Sequence, residues 1–287
     1  MTGFDEDTDA LRGALLDRWE RSAAGWTVRR DRWRAFGMPV SEWMIDAVSP
    51  QPGQRVLELA AGVGDTGFLV AELLRPGGTL ISSDATEGML EAARARALEL
   101  GIDNVEFKRL QLEWIDLPTA VVDAVLCRWG VMLAVDPGAA MSEARRVLRP
   151  GGRVALAVWD APEHNPWATI KTRALEALGH AAPPDPSAPG MFALAPPGRL
   201  ADLLEDAGFT EVTVDSIGLE ESYESLDAYI EESRDLSRGF DDAVAGLTDA
   251  ERDAVRTEIG RLVTPFTLSE GGRLRIPGRS LVAAASA

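Results

Sequence analysis

Two hydrophobic periods alternate along the middle of the chain. Between Gln54 and Trp159, short apolar runs ("RVLELA", "TLISSD", "VEFKRL", "VVDAVLCRW", "RVALAVW") alternate with stretches whose apolar residues recur every three or four positions. The first pattern predicts strands and the second amphipathic helices. In "EGMLEAARARALELG", Met89, Leu90, Ala93, Ala97 and Leu100 share one face and Gly101 closes the helix. A helix from about Thr66 to Leu74 stops at Pro76-Gly77-Gly78, and "GAAMSEARRVLRPGG" repeats that ending. Alternation of this kind across short turns predicts a parallel sheet covered by helices. The fifth run, "RVALAVW", is apolar enough to be buried on both faces.

The texture differs on either side. Before residue 49 the chain reads as helical, with Trp19, Trp26 and Trp33 spaced by seven and Trp43 further on. Heptad-spaced aromatics mark a packing stripe first and a ligand contact second; a lid with its inner face over a pocket serves both. After Trp159, "APEHNPW" and the Pro-rich "HAAPPDPSAPGMFALAPPG" predict loops around a helix near residues 168–178. "GRLADLLEDAGF" predicts a helix, "EVTVDSIGLEESY" a strand, and residues 225–262 more helix, the last opening on the capping box Thr248-Asp249-Ala250-Glu251. "RLRIPGRSLVAAASA" predicts a turn at Pro277-Gly278 leading into a terminal strand. The expected organisation is a helical N-terminal lid (1–48), a nucleotide-binding core (49–160), and helical cap insertions with the final strands (161–287).

Composition narrows the function classes. The 287 residues carry a formal net charge of −17, which argues against nucleic acid as the main partner. Arg29, Arg30, Arg32 and Arg34 form a local basic patch that reads first as a solvated helix face. The single cysteine, Cys127, lies in an apolar strand and reads as a buried thiol; Cys-ligated metal is excluded by count. His164 and His180 are far apart, so no metal is expected. The acidic N-terminus lacks a signal-peptide pattern, and no apolar run approaches about 18 residues. A cytoplasmic protein of unspecified oligomeric state is the expectation.

The chemistry begins at "VLELAAGVGDTG". Gly62, Gly64 and Gly67 spell G-x-G-x-x-G between the first strand and its helix, and Asp84 ends the second strand twenty residues after Gly64. This context predicts an adenosine ligand whose ribose hydroxyls meet Asp84. Three features disfavour a nicotinamide dinucleotide. Glu58, four positions before Gly62, suits an ammonium and a sulfonium rather than a diphosphate. No second mononucleotide-binding half follows the fifth strand. The terminal strands suit a sheet with its last strand antiparallel.

In order and spacing, "VLELAAGVGDTG", "SSDATEGML", "VEFKRLQLEWIDLP", "VDAVLCRWGVML" and "ARRVLRPGGRVALAVW" resemble the successive motifs of class I S-adenosylmethionine-dependent methyltransferases, most of all the ubiquinone/menaquinone biosynthesis C-methyltransferase branch. The resemblance covers Gln54 to Trp159. It implies an α/β, Rossmann-like, seven-stranded, mostly parallel sheet with the last strand antiparallel, and S-adenosylmethionine as cofactor. It also places Glu58 near the methionine ammonium, and Ala60, Gly62 and Gly64 under sulfonium and ribose. Asp84 is placed on the ribose, Ala85 and Met89 against the adenine, and Gln111 with Leu112 at the adenine edge. Ala60 stands where the family usually has glycine, and Gln111 where it often has Asp. Met89 fits helix core as well as adenine contact. Arg128 is open between cofactor contact and structural ion pair, and Trp129 reads more as packing.

Methyl transfer from a sulfonium is an in-line displacement that draws on alignment and desolvation. The family's Asn/Asp-Pro-Pro-aromatic motif for amino acceptors is absent, "CRWG" standing in its place, so O- or C-methylation is favoured. His164, on the loop after the fifth strand, is the first candidate base, ahead of Tyr223, Tyr229 and His180, although it reads first as a loop histidine without catalytic duty. Trp26, Trp33, Trp129, Met132 and Trp167, with Met191 and Phe192, are expected to wall a pocket for an apolar or aromatic small molecule. The rival readings are an NAD(P)-dependent oxidoreductase and a cofactor-binding protein without turnover.

Overall fold

Val56, Leu57, Leu80, Ile81, Val125, Leu126, Leu156 and Ala157 are all inaccessible to solvent, because the strands that carry them are covered on both faces. In the computed structural model, which describes residues 3–183, 185, 188–268 and 271–287, these strands form one seven-stranded sheet in the order β3-β2-β1-β4-β5-β7-β6. The strands are β1 (Arg55–Glu58), β2 (Thr79–Asp84), β3 (Val105–Arg109), β4 (Val122–Arg128), β5 (Leu148–Trp159), β6 (Thr210–Tyr223) and β7 (Leu274–Ser286). β1 to β5 pair in parallel, and β7 runs antiparallel between β5 and β6. Helices α2 (Asp65–Leu73), α3 (Glu87–Leu100) and α4 (Pro137–Val147) connect the first five strands. Gly101 ends α3 in the left-handed conformation, and Thr248 and Glu251 form a reciprocal capping box.

The N-terminal segment is one 46-residue helix, α1 (Gly3–Val48), that runs through Pro39. Its stripe divides by environment. Trp33, Phe36, Val40, Met44 and Val48 are buried in the main core, whereas Ala23, with Trp19 and Trp26, packs on Val63 and Met89 at the start of the nucleotide half. The helix meets the body at several close approaches, among them the following. Glu20 accepts a hydrogen bond from Gly88 N at 2.8 Å. Arg30 and Asp31 pair with Glu99 and Arg96 at 2.8 Å each. Gly25 lies so close to α7 (Leu226–Leu236) that a Cβ there would sit 2.0 Å from the Asp235 carbonyl oxygen.

The cap consists of α5 (Pro166–Ala177), α6 (Arg199–Asp206), α7, α8 (Arg238–Ala245) and α9 (Asp249–Val263). Residues 225–262 are helical as expected, in three helices with breaks at Ser237 and at Gly246 to Thr248, the last opening on the capping box. One detail differs from the sequence reading: Pro277-Gly278 is not a turn but lies inside β7, opposite Glu220 and Leu219. β5 ends at Trp159 opposite Ser280, so Pro277 borders β6 alone, an edge-like place where a missing N–H is tolerated. Pro184, Pro186 and Ser187 of the expected Pro-rich loop lie outside the described residues.

Gly13 and Gly25 form a matched test of α1. By helix propensity alone, Ala at either position stabilises by up to about 1 kcal/mol. Gly13→Ala, with open space around it, is expected to raise the urea midpoint. Gly25→Ala is expected to lower it by an overpacking cost of about 1–3 kcal/mol, because the Asp235 backbone stands in the way.

Candidate active site

At the carboxyl end of β1, Glu58 is 3% accessible. Its Oε1 accepts a hydrogen bond from Gly67 N at 2.8 Å, in the first turns of α2. Its Oε2 has no hydrogen-bond partner. Gly67 has no room for a side chain, since a Cβ would lie 2.1 Å from that oxygen. Burial pushes the Glu58 pKa up to about 8, against the Gly67 hydrogen bond and the nearby Arg128 charge.

The chain then turns sharply. Ala60 and Gly62 both adopt left-handed backbone (φ 50° and 55°), and a Cβ at Gly62 would meet nothing within 4 Å. That open space is the cleft. Ala61 N donates to Ser83 O at 2.8 Å and Gly62 N to Asp84 Oδ2 at 3.0 Å, which ties the loop to the end of β2. Asp84 Oδ1 accepts from Thr86 N and Thr86 Oγ1 at 3.0 and 2.9 Å. Burial raises the pKa of Asp84, and these donors oppose the rise. Three bonds leave a carboxylate with acceptor capacity toward the cleft.

From the other side, β4 delivers Arg128. Its Nη2 pairs with Asp65 Oδ2 at 3.0 Å, and its guanidinium lies 4.6 Å from the Trp129 ring centroid. Its Nη1 has no hydrogen-bond partner and is packed against Gly37 of α1, where a Cβ would come within 1.9 Å. Trp129 itself has φ 58°, and its Nε1 donates to Ser280 Oγ at 3.0 Å. Glu113, after β3, accepts from Val135 N at 2.9 Å and closes the far rim.

Of the residues singled out in sequence, Glu58, Ala60, Gly62, Asp84, Ala85, Met89, Gln111, Leu112 and Arg128 all line this cleft, together with Trp26 and Trp129. Gly64 does not line it; it precedes α2 and is closed over by the Phe68 ring. Trp33, Met132 and Trp167 are buried in the core behind it. His164 sits outside the cleft in a turn at Pro162–His164, its Nδ1 3.1 Å from Asp160 Oδ2 and its ring against Arg279. Tyr229 donates to the Trp167 carbonyl at 2.9 Å, and Tyr223 is buried beneath Arg32. Arg12, Leu15, Leu16 and Trp19 of α1, with Asp65, Thr86 and Glu113, also line it and were not singled out as site residues. The α1 residues were available by extending the tryptophan stripe backward at helical spacing. Among the described residues, no group of three or more His, Cys, Asp or Glu is placed to hold a metal ion, and no helix is long and apolar enough to cross a membrane.

The raised pKa of Glu58 has a defined sign. Between about pH 4.5 and 8 the unfolded chain has released a proton that the folded chain still holds, so folding loses stability as pH rises through that window. Glu58→Gln is expected to raise the melting temperature over the wild type at pH 8, with the gain vanishing near pH 5. Thermal melts across that range check it.

Residues 50–184 match the family model described as "Methyltransferase domain". Nocamycin O-methyltransferase of Saccharothrix syringae is 31% identical over 186 residues, 62% of this chain and 66% of that protein. Demethylmenaquinone methyltransferase of Clavibacter sepedonicus is 36% identical over 116 residues, 40% of this chain and 45% of its own length. The alignments thus span less than two thirds of these relatives. Among solved structures, the YcgJ protein of Bacillus subtilis superposes with a TM-score of 0.57 at 21% identity, covering 86% of this chain and 97% of that one. A Haemonchus contortus phosphoethanolamine N-methyltransferase in complex with S-adenosylhomocysteine gives 0.58 at 15% identity, covering 95% and 60%. Strand order and these matches agree: residues 50–184 are similar to methyltransferase domains, and the chain shares its fold with the YcgJ protein.

Proposed function

We propose that this chain transfers a methyl group from S-adenosylmethionine to a small apolar or aromatic acceptor, at oxygen or carbon. The observation that carries the reading is the charge of the cleft. Glu58, Asp65, Asp84 and Glu113 line it against only Arg12 and Arg128, and one Glu58 oxygen is buried without a hydrogen bond. Asp65, Asp84 and Glu113 repel a diphosphate, whereas an ammonium favours the charged form of Glu58, which otherwise holds its proton up to about pH 8. The open space over Gly62 admits a ligand against the backbone. The residues therefore fit the cofactor that the family uses.

When bound, that cofactor supplies an electrophilic methyl on a cationic sulfur. In this proposal Glu58 holds the ammonium, and Asp84 accepts from the ribose hydroxyls. Ala85, Met89 and Leu112 pack the adenine, with Gln111 at its edge. Residues 1–48 act as the lid: Leu15, Leu16, Trp19 and Trp26 line the cleft from α1 and exclude water, so that alignment and desolvation supply the rate. A base role for His164 requires its contacts with Asp160 and Arg279 to break. The names of the nocamycin O-methyltransferase and demethylmenaquinone methyltransferase relatives support a small-molecule acceptor and a choice between oxygen and carbon.

Calorimetry on the full chain is expected to show binding of S-adenosylhomocysteine and none of NADH. The reverse result sinks the proposal. S-adenosylmethionine affinity is expected to rise from pH 6 to 8 as Glu58 loses its proton, and Glu58→Gln is expected to flatten that dependence. Mass spectrometry after incubation with a metabolite library identifies the acceptor by its gain of one CH2.

A further inference from the structure

The cap holds a polar cluster that the cleft does not use. On β6 the buried positions at the strand's end are Leu219, Glu221 and Tyr223, so a carboxylate occupies a core-facing place in the alternation. Arg32 of α1 pairs with Glu221 at 2.5 Å and with Glu232 of α7 at 2.6 Å, and lies 4.6 Å from the Tyr223 ring centroid. Lys171 of α5 lies with its ammonium 5.7 Å from the Trp167 ring centroid, and burial pushes its pKa down to about 8 against the pull of Glu232. Both glutamates are 3% accessible. Each uses Oε2 on Arg32, and Oε1 of both is buried without a hydrogen bond. Trp33 Nε1, beside Arg32 in sequence, is a third such atom. Arg29, on the same face, is committed to Asp235 at 2.6 Å and Glu231 at 3.2 Å. Buried acceptors are rarely left unmatched.

Position points to the same role. β5 ends at Trp159 opposite Ser280, which in turn pairs with Ile217, so β6 and the start of β7 run on together, to Tyr223 opposite Leu274, past the end of β5. Glu221 and Tyr223 therefore overhang the carboxyl edge, where open α/β sheets bind their ligands. Trp33 bridges the two regions. It touches Trp26 (5.1 Å) and Trp129 (6.3 Å), which line the cleft, and Trp167 (5.3 Å), one helical turn from Lys171.

We propose that this cluster is the distal end of the methyl-acceptor site and takes a hydroxyl group carried by an aromatic acceptor, whose ring parts Trp33 from Trp167. The inference rests on the methyl-transfer reading. Charge decides the ligand class. Burial pushes the Glu221 pKa up to about 7 and the Lys171 pKa down to about 8 and raises that of Glu232, so the cluster stays near neutrality beside Arg32, and an ammonium or carboxylate on the acceptor leaves a buried charge unpaired. A hydroxyl donates to a free Oε1 and changes no charge.

Calorimetry on the full chain saturated with S-adenosylhomocysteine tests this with 2-naphthol, its methyl ether, 2-naphthoate and 2-naphthylmethylamine. The wild type is expected to bind 2-naphthol at least about tenfold more tightly than the other three, the loss set by one hydrogen bond to a charged group. Glu221→Gln and Glu232→Gln each remove a negative charge and are expected to shift preference toward 2-naphthoate. Glu220→Gln, exposed and paired with Arg275 at 3.1 Å, is expected to leave it unchanged. Equal binding of 2-naphthol and its methyl ether, absence of 2-naphthol binding, or unaltered preference in both buried-site variants overturns the assignment. The wild-type comparison stands even if a variant fails to fold. Absence of S-adenosylhomocysteine binding would instead overturn the methyl-transfer reading itself.

Discussion

A carboxylate buried at the end of a central strand is costly unless its surroundings answer it, and the surroundings of Glu58 are arranged around that demand. α2 must begin with Gly67 near enough to donate its N–H, at the positive end of the helix. β4 must end in Arg128, whose charge opposes the desolvation of Glu58. Arg128 in turn needs Asp65 as a partner and Gly37 of α1 as a neighbour without a side chain. One acidic residue thus accounts for a glycine in α2, an ion pair across the cleft, and a glycine on a helix from another part of the chain. The free Oε2 is what this arrangement leaves available to a ligand.

The nucleotide half was legible in the sequence because its signals are local. Period-two runs, Pro-Gly-Gly stops and an acidic residue at each of two strand ends place Glu58, Gly62 and Asp84 in one cleft without knowledge of distant contacts. The substrate side was not legible in the same way. Trp33, Met132 and Trp167 carry the aromatic and thioether character of a pocket wall yet pack into the core, since hydrophobic residue type does not tell a cleft from an interior. Conversely, Arg12 and Glu113 reach the cleft from the expected lid and from the motif that carries Gln111 and Leu112, where neither stood out by residue type. The straight run through Pro277-Gly278 depends on where β5 stops, which no local motif encodes.

The tryptophan stripe of α1 shows how one periodic signal serves two environments. Trp19 and Trp26 face the cleft, while Trp33 enters a continuous aromatic group with Phe36, Trp129, Trp159 and Trp167; the Trp129 and Trp159 rings stack at 4.2 Å. Offset and edge-on ring contacts of this kind add to the stability that area alone provides. They also make the region between cleft and cap a set of flat, interlocking plates.

The way β5 is covered bears on where this protein ends as a physical object. One edge of β5 is hydrogen-bonded along its length to β7, which lies far beyond residue 184. α1 packs across β5 and contributes Trp33, Phe36, Val40 and Met44 to the same core, all before residue 50. The segment that the family model matches is therefore smaller than the set of elements that covers its sheet. Cut at its own borders, it would bare an unpaired strand and an oily face, the combination that drives chains to pair with one another.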